Sequence, residues 1–174
     1  MHWNFRRVSG LLFLASVIGM AFALYLEHGP LKLNPCPLCV FQRVGLIGLG
    51  VFSLLGFLHN PVAHWVKRVY AGLGLISIAW AAGVAARHVW LQHLPPDQVP
   101  SCGPGLDYWL ETLPLKTVFE QVLTGSGECA AIDWSFLGQS LPVWSFVFFS
   151  LLLIVSLWQV VRRYPYAGPK SAKK

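Results

Sequence analysis

The residues best suited to chemistry are the four cysteines. Cys36 and Cys39 stand in "NPCPLCVFQR", two residues apart, and Arg43 follows four residues later. A Cys-x-x-Cys pair closes a very short ring, a spacing that recurs where a disulfide must open and close. On a helix Arg43 would lie about one turn beyond Cys39 on the same face. A guanidinium, which does not deprotonate, would there favour a thiolate or hold an anionic or carbonyl acceptor; the alternative is a side chain that snorkels to the membrane interface. Cys102 lies in "VPSCGPG" and Cys129 in "SGECAA". Four cysteines permit three connectivities, and the local choice joins Cys36 to Cys39 and Cys102 to Cys129. The second bridge would also suit a staple that stabilises a long loop by about 2 to 4 kcal/mol. A zinc site of four thiols is the other option, but Cys102 and Cys129 lack knuckle spacing, so no metal is assigned.

The elements that must hold these residues are membrane helices. The chain is 55% hydrophobic and 11% charged, has a mean hydropathy of +0.56 and holds 8 tryptophans, unlike an ordinary soluble domain. Val8 to Leu26, Val69 to Ala86 and Pro142 to Val161 are free of charge, and Leu38 to Leu58 carries Arg43 alone. Each is close to the ~20 residues a spanning helix needs and too long for a membrane strand. The expected fold is an all-α integral membrane protein, a single-domain bundle of four transmembrane helices at 8–26, 38–58, 69–88 and 142–161. Two external loops, 27–37 and 89–141, join the spans, and a disordered basic tail occupies 164–174. Arg6, Arg7 and Ala21-Phe22-Ala23 also fit a signal peptide, but apolar character continues to Leu26, so the segment reads as a span.

Charge sets the orientation. Arg6, Arg7, Lys67, Arg68, Arg162, Arg163, Lys170, Lys173 and Lys174 fall in the two termini and the middle connection, the face the positive-inside rule makes cytoplasmic. All seven acids, among them Glu27, Glu120 and Glu128, lie in the other two connections, where the loop cations are Lys32 and Lys116. The formal +6 therefore reflects topology and gives no reason to expect nucleic acid binding. All four cysteines face the oxidising side, where thiols tend to pair. Leu115, Val118, Phe119 and Val122 recur at helical spacing in "LPLKTVFEQVL", expected as a short amphipathic helix that lies on the membrane interface or packs on the loop.

With its residues so arranged, the chain resembles the DsbB family of bacterial inner-membrane thiol oxidases. The likeness rests on four spans, "NPCPLCVFQR" at the second and "SGECAAIDWSFLGQSLPVWS" leading into the fourth. It implies a quinone-dependent protein thiol:disulfide oxidoreductase with ubiquinone or menaquinone as acceptor. Its partner would be a DsbA-like periplasmic thioredoxin-fold protein, and its surroundings the membrane lipid and its quinone pool. By the resemblance, Cys36 and Cys39 form the disulfide beside the quinone, Cys39 interacting with it, and Arg43 lies near the ring. Cys102 and Cys129 form the loop pair that accepts electrons from the partner, and Cys129 then exchanges with Cys36. A family histidine near the outer end of the third span also borders the quinone. His93 is ranked ahead of His88 for that place, and either also fits an interfacial histidine with no such role. The alternatives are a quinone-ring reductase of the vitamin K epoxide reductase type, whose usual Cys-x-x-Cys follows its loop pair, and a non-catalytic disulfide-stapled or metal-binding scaffold.

Overall fold

A computed structural model of the chain describes residues 4–29, 32, 35–95, 97–101, 106–125, 127–132, 134–162 and 164. Cys102 and the tail from residue 165 lie outside the described residues. Four long helices dominate: α1 (Phe5–His28), α2 (Pro37–His59), α3 (His64–Gln92) and α7 (Leu141–Val161). Three short helices, α4 (Leu106–Thr112), α5 (Leu115–Thr124) and α6 (Gly127–Ala130), and a hairpin of β1 (Ser135–Phe136) and β2 (Gln139–Ser140) fill the connection before α7. All four long helices are long and apolar enough to cross a membrane. Their outward surfaces expose Leu11, Leu14, Ile47, Ile76 and Ile154, which suits helices solvated by lipid with their backbone bonds satisfied internally. The protein is an all-α multi-pass membrane protein, a four-helix bundle whose long second loop carries short helices.

Within the bundle, α2 packs on α1 and α3, and α3 on α7, whereas α1 and α7 touch little. Small residues allow the α2–α3 approach: a Cβ on Gly45 would stand 2.7 Å from the Ser77 carbonyl and 2.8 Å from the Ala81 methyl. Close backbone contact of this kind supplies packing energy between helices that lipid alone cannot drive together. Val8, Leu12, Leu46, Leu49, Ile78 and Phe149 belong to the central core. A second cluster at the cysteine end joins Leu38, Val84 and Leu91 to Trp109, Val118, Val122 and Cys129 of the long connection. At the opposite end Gln159 Nε2 donates to Ser9 Oγ at 2.8 Å, tying α7 to α1.

The long connection is anchored at two places. Val118 and Val122 of α5 are buried, and the Arg87 guanidinium donates to the carbonyls of Leu123 and Thr124 at 3.0 and 3.1 Å. Arg87 thereby satisfies carbonyls that the last turn of α5 leaves free and complements its negative end. Leu115 and Phe119, on the same apolar stripe, stay exposed; the Phe119 ring lies 5.1 Å from Phe41 of α2. The hairpin turns tightly at Leu137 and Gly138, with φ of 52° and 77°, the left-handed pair of a two-residue turn. Ser140 Oγ then donates to Gln92 Oε1 at 2.6 Å, setting the start of α7 beside the end of α3.

Candidate functional site

Cys36 is the N-cap of α2 and Pro37 opens the helix, a position where proline's missing N–H costs nothing. One turn of helix then sets Cys39 beside Cys36: their sulfurs are 3.2 Å apart and both are thiols. The amino end of α2 adds a positive field around the pair. His88, only 3% exposed, reaches in from α3. Its Nε2 lies 3.8 Å from Cys36 Sγ and its Nδ1 3.9 Å from Cys39 Sγ.

The hydrogen bonds of His88 define its tautomer. Nε2 donates to the Cys129 carbonyl at 3.0 Å, and Gln42 Nε2 donates to Nδ1 at 3.3 Å. A carbonyl can only accept, so the ring proton is on Nε2 and the Nδ1 lone pair faces Cys39 and Gln42. Cys129 is 1% exposed, in the apolar cluster against which Cys36 packs. His88 therefore links the Cys-x-x-Cys pair on α2 to the loop cysteine on α6.

These groups border a cavity of about 370 Å³ at the cysteine end, in the gap between α1 and α7. Ile18, Phe22, Leu46, Phe148 and Phe149 give it apolar walls, and Cys36, Cys39, His88 and Arg43 reach its surface. Arg43 lies on the same helix as Cys39 and donates through Nη1 to Glu27 Oε2 of α1 at 2.5 Å, the two side chains being 21% and 25% exposed. A charge pair so little exposed needs such a partner to offset desolvation.

Of the residues singled out from sequence, the fold brings Cys36, Cys39, Cys129, His88 and Arg43 to one place. His93 is not among them. It is the exposed C-cap of α3, and its Nδ1 donates to the Val89 carbonyl at 2.8 Å. Gln42 and Glu27 are polar cavity residues to which sequence reasoning assigned no role at the site. Gln42 is the one with a local signal, a buried amide one residue before Arg43 in a run otherwise apolar.

Four membrane helices carrying a paired thiol, a loop cysteine and a histidine at one apolar cavity define a membrane thiol–disulfide oxidoreductase. Comparison with known proteins agrees: residues 5–159 match the family described as "Disulfide bond formation protein DsbB", and the chain belongs to that family. The chain is 67% identical over 165 residues to "Disulfide bond formation protein B" of Acinetobacter baylyi, covering 95% of this chain and 96% of that one. It is 64% identical over 174 residues to the protein of that description from Acinetobacter baumannii, covering 100% of both. Over 163 residues it is 52% identical to another from Psychrobacter cryohalolentis, covering 91% and 92%.

Proposed function

We propose that this disulfide-forming membrane protein takes two electrons from a DsbA-like thioredoxin-fold dithiol partner and delivers them to a membrane quinone. The observation that carries the reading is the cavity itself, apolar along its walls and lined at one side by Cys39, Arg43 and His88. Its volume of about 370 Å³ lies in the range of small-molecule sites, about 300 to 1,000 Å³. A quinone fits this surface: a flat apolar ring against aromatic walls, with carbonyl oxygens able to accept from Arg43. When bound, the quinone supplies the terminal acceptor, taking up two electrons and two protons.

The protein's own residues perform the exchange that feeds it. The attacking thiolate of the partner forms a mixed disulfide at Cys102, releasing Cys129, and the partner's second thiol then frees Cys102 as its own disulfide forms. Cys129 attacks Cys36, which expels Cys39 as thiolate, and Cys102 resolves the Cys129–Cys36 bond. The loop pair is thereby reoxidised and the Cys36–Cys39 pair reduced. His88 positions both partners, holding the Cys129 backbone while its ring lies against Cys36 and Cys39. Arg43, with Glu27 to fix its planar head, supplies the positive charge beside Cys39.

The orientation proposed is both termini in the cytoplasm of a bacterium, the cysteine end in the periplasm and the bundle in the inner membrane. Its support is Arg6, Arg7, Lys67, Arg68 and Arg162 near the opposite ends of the helices, the end the positive-inside rule keeps cytoplasmic. Family membership and the chain order of the cysteine pairs set aside the vitamin K epoxide reductase reading.

The test mixes purified protein with a reduced thioredoxin-fold donor and a soluble quinone and follows quinone absorbance. Loss of one quinone per donor dithiol, abolished by replacing any of the four cysteines with serine, is the expected result. A folded protein that oxidises the donor while consuming no ubiquinone or menaquinone analogue would overturn the quinone assignment.

A further inference from the structure

Cys36 Sγ, Cys39 Sγ and a ring nitrogen of His88 all lie within 4.8 Å of one another. Two thiols and an imidazole are the donors that soft and borderline d10 cations prefer. With Zn–S bonds of about 2.3 Å and Zn–N of about 2.0 Å, the edges of a tetrahedral site are about 3.8 Å between sulfurs and about 3.5 Å from sulfur to nitrogen. The corresponding separations here are 3.2 Å between the sulfurs and 3.9 Å from Cys39 Sγ to His88 Nδ1. These two edges match a metal site after shifts of about half an ångström, and the third, from Cys36 Sγ to His88, lies within the same 4.8 Å.

A second feature, independent of those distances, is how the imidazole is held. A metal-ligating histidine commonly donates its other N–H to a carbonyl, which fixes the tautomer and aims the lone pair. His88 makes this bond, Nε2 to the Cys129 carbonyl at 3.0 Å, while its Nδ1 stands 3.9 Å from Cys39 Sγ and accepts a 3.3 Å bond from Gln42 that an ion would displace. The fourth position is left to a water from the cavity that these residues border.

We propose that the dithiol form of Cys36, Cys39 and His88 is a binding site for a soft divalent cation of the Zn²⁺ or Cd²⁺ class, and that the bound ion withholds the pair from exchange. Binding changes no oxidation state: two S–H bonds are replaced by two metal–sulfur bonds and two protons are released. In the disulfide form the thiolates are absent and the site vanishes. This site is distinct from one of all four thiols, since it uses neither Cys102 nor Cys129 as a ligand, and it does not depend on which acceptor the cavity takes.

The test uses the full chain in detergent, reduced and freed of reductant. Cd²⁺ is titrated while the ultraviolet thiolate-to-cadmium absorption is followed, and Zn²⁺ is measured by competition with a chromophoric chelator. One ion per reduced chain is expected. Binding should be at least about 100-fold weaker to the oxidised protein, which carries no substitution and so controls for folding. Cys36→Ser and Cys39→Ser should lose the ion, His88→Ala should weaken it about 10- to 100-fold by analogy with lost metal-site groups, and Cys129→Ser should keep it. No ion on the reduced protein, equal binding to the oxidised protein, retention in Cys36→Ser or loss in Cys129→Ser would each overturn the assignment.

Discussion

Arg43 is the residue whose role is most open to a single substitution. It lies on the cavity wall and pairs with Glu27 at 2.5 Å, so its head is fixed in a partly dry site, where a preorganised charge is worth most. Arg43→Ala should lower quinone-coupled donor oxidation about 100-fold. Arg43→Lys, which keeps charge but loses the planar fork, should fall between, as should Glu27→Gln, which leaves the guanidinium less firmly aimed. Steady-state rates against quinone concentration will separate these, and an Arg43→Ala enzyme with wild-type kinetics would return the residue to snorkelling. The two histidines give a second contrast: His88→Ala should slow transfer from the loop pair to Cys36 and Cys39, while His93→Ala should leave it within about twofold, as exposed substitutions usually do. Rapid-quench trapping of the thiols at each pair would show it. Spacing alone placed Cys39 and Arg43 on one helical face, because they are four residues apart. It could not choose between His88 and His93, which stand about 140° apart around a helix whose sequence is apolar on every side. Glu27 was equally hidden, since its partner is on another helix.

Among the elements, α5 is held by two side chains and a guanidinium. Val118 and Val122 are buried against Leu38, Val84 and Leu91, and Arg87 closes the carboxyl end of the helix. Val122→Ala should cost about 1 to 3 kcal/mol of local stability, and Arg87→Gln should fray the last turn. Hydrogen exchange will report both as faster exchange across 115–124, with the long helices unchanged; uniform protection would mean that α5 is held by other contacts. The four spans were legible because a membrane imposes its thickness on sequence as runs without charge. Their ends were not. α3 begins at His64, ahead of the uncharged run, and its Lys67 is buried with Tyr164 6.0 Å away. It also continues past Arg87, whose charge is spent on the carbonyls of α5. The β hairpin left little trace, being two residues per strand around a turn.

For the whole molecule, the distribution of cysteines predicts the order of contact with the partner. Cys129 is buried beside His88, whereas Cys102 is flanked by Pro100, Gly103, Pro104 and Gly105, residues that favour turns and extended chain. A donor variant that keeps only its attacking cysteine should therefore accumulate as a mixed disulfide with Cys102. Peptide mapping by mass spectrometry will identify the linked cysteine, and linkage to Cys129 would reverse the proposed order. The bond from Gln159 to Ser9 joins the first span to the last, while their other ends part to form the cavity. Translation delivers these two walls separately, α1 before Cys36 and Cys39 and α7 after them. A nascent chain with three spans inserted already carries Cys36 and Cys39 but lacks Phe148 and Phe149, so the chamber is unfinished until α7 joins the bundle.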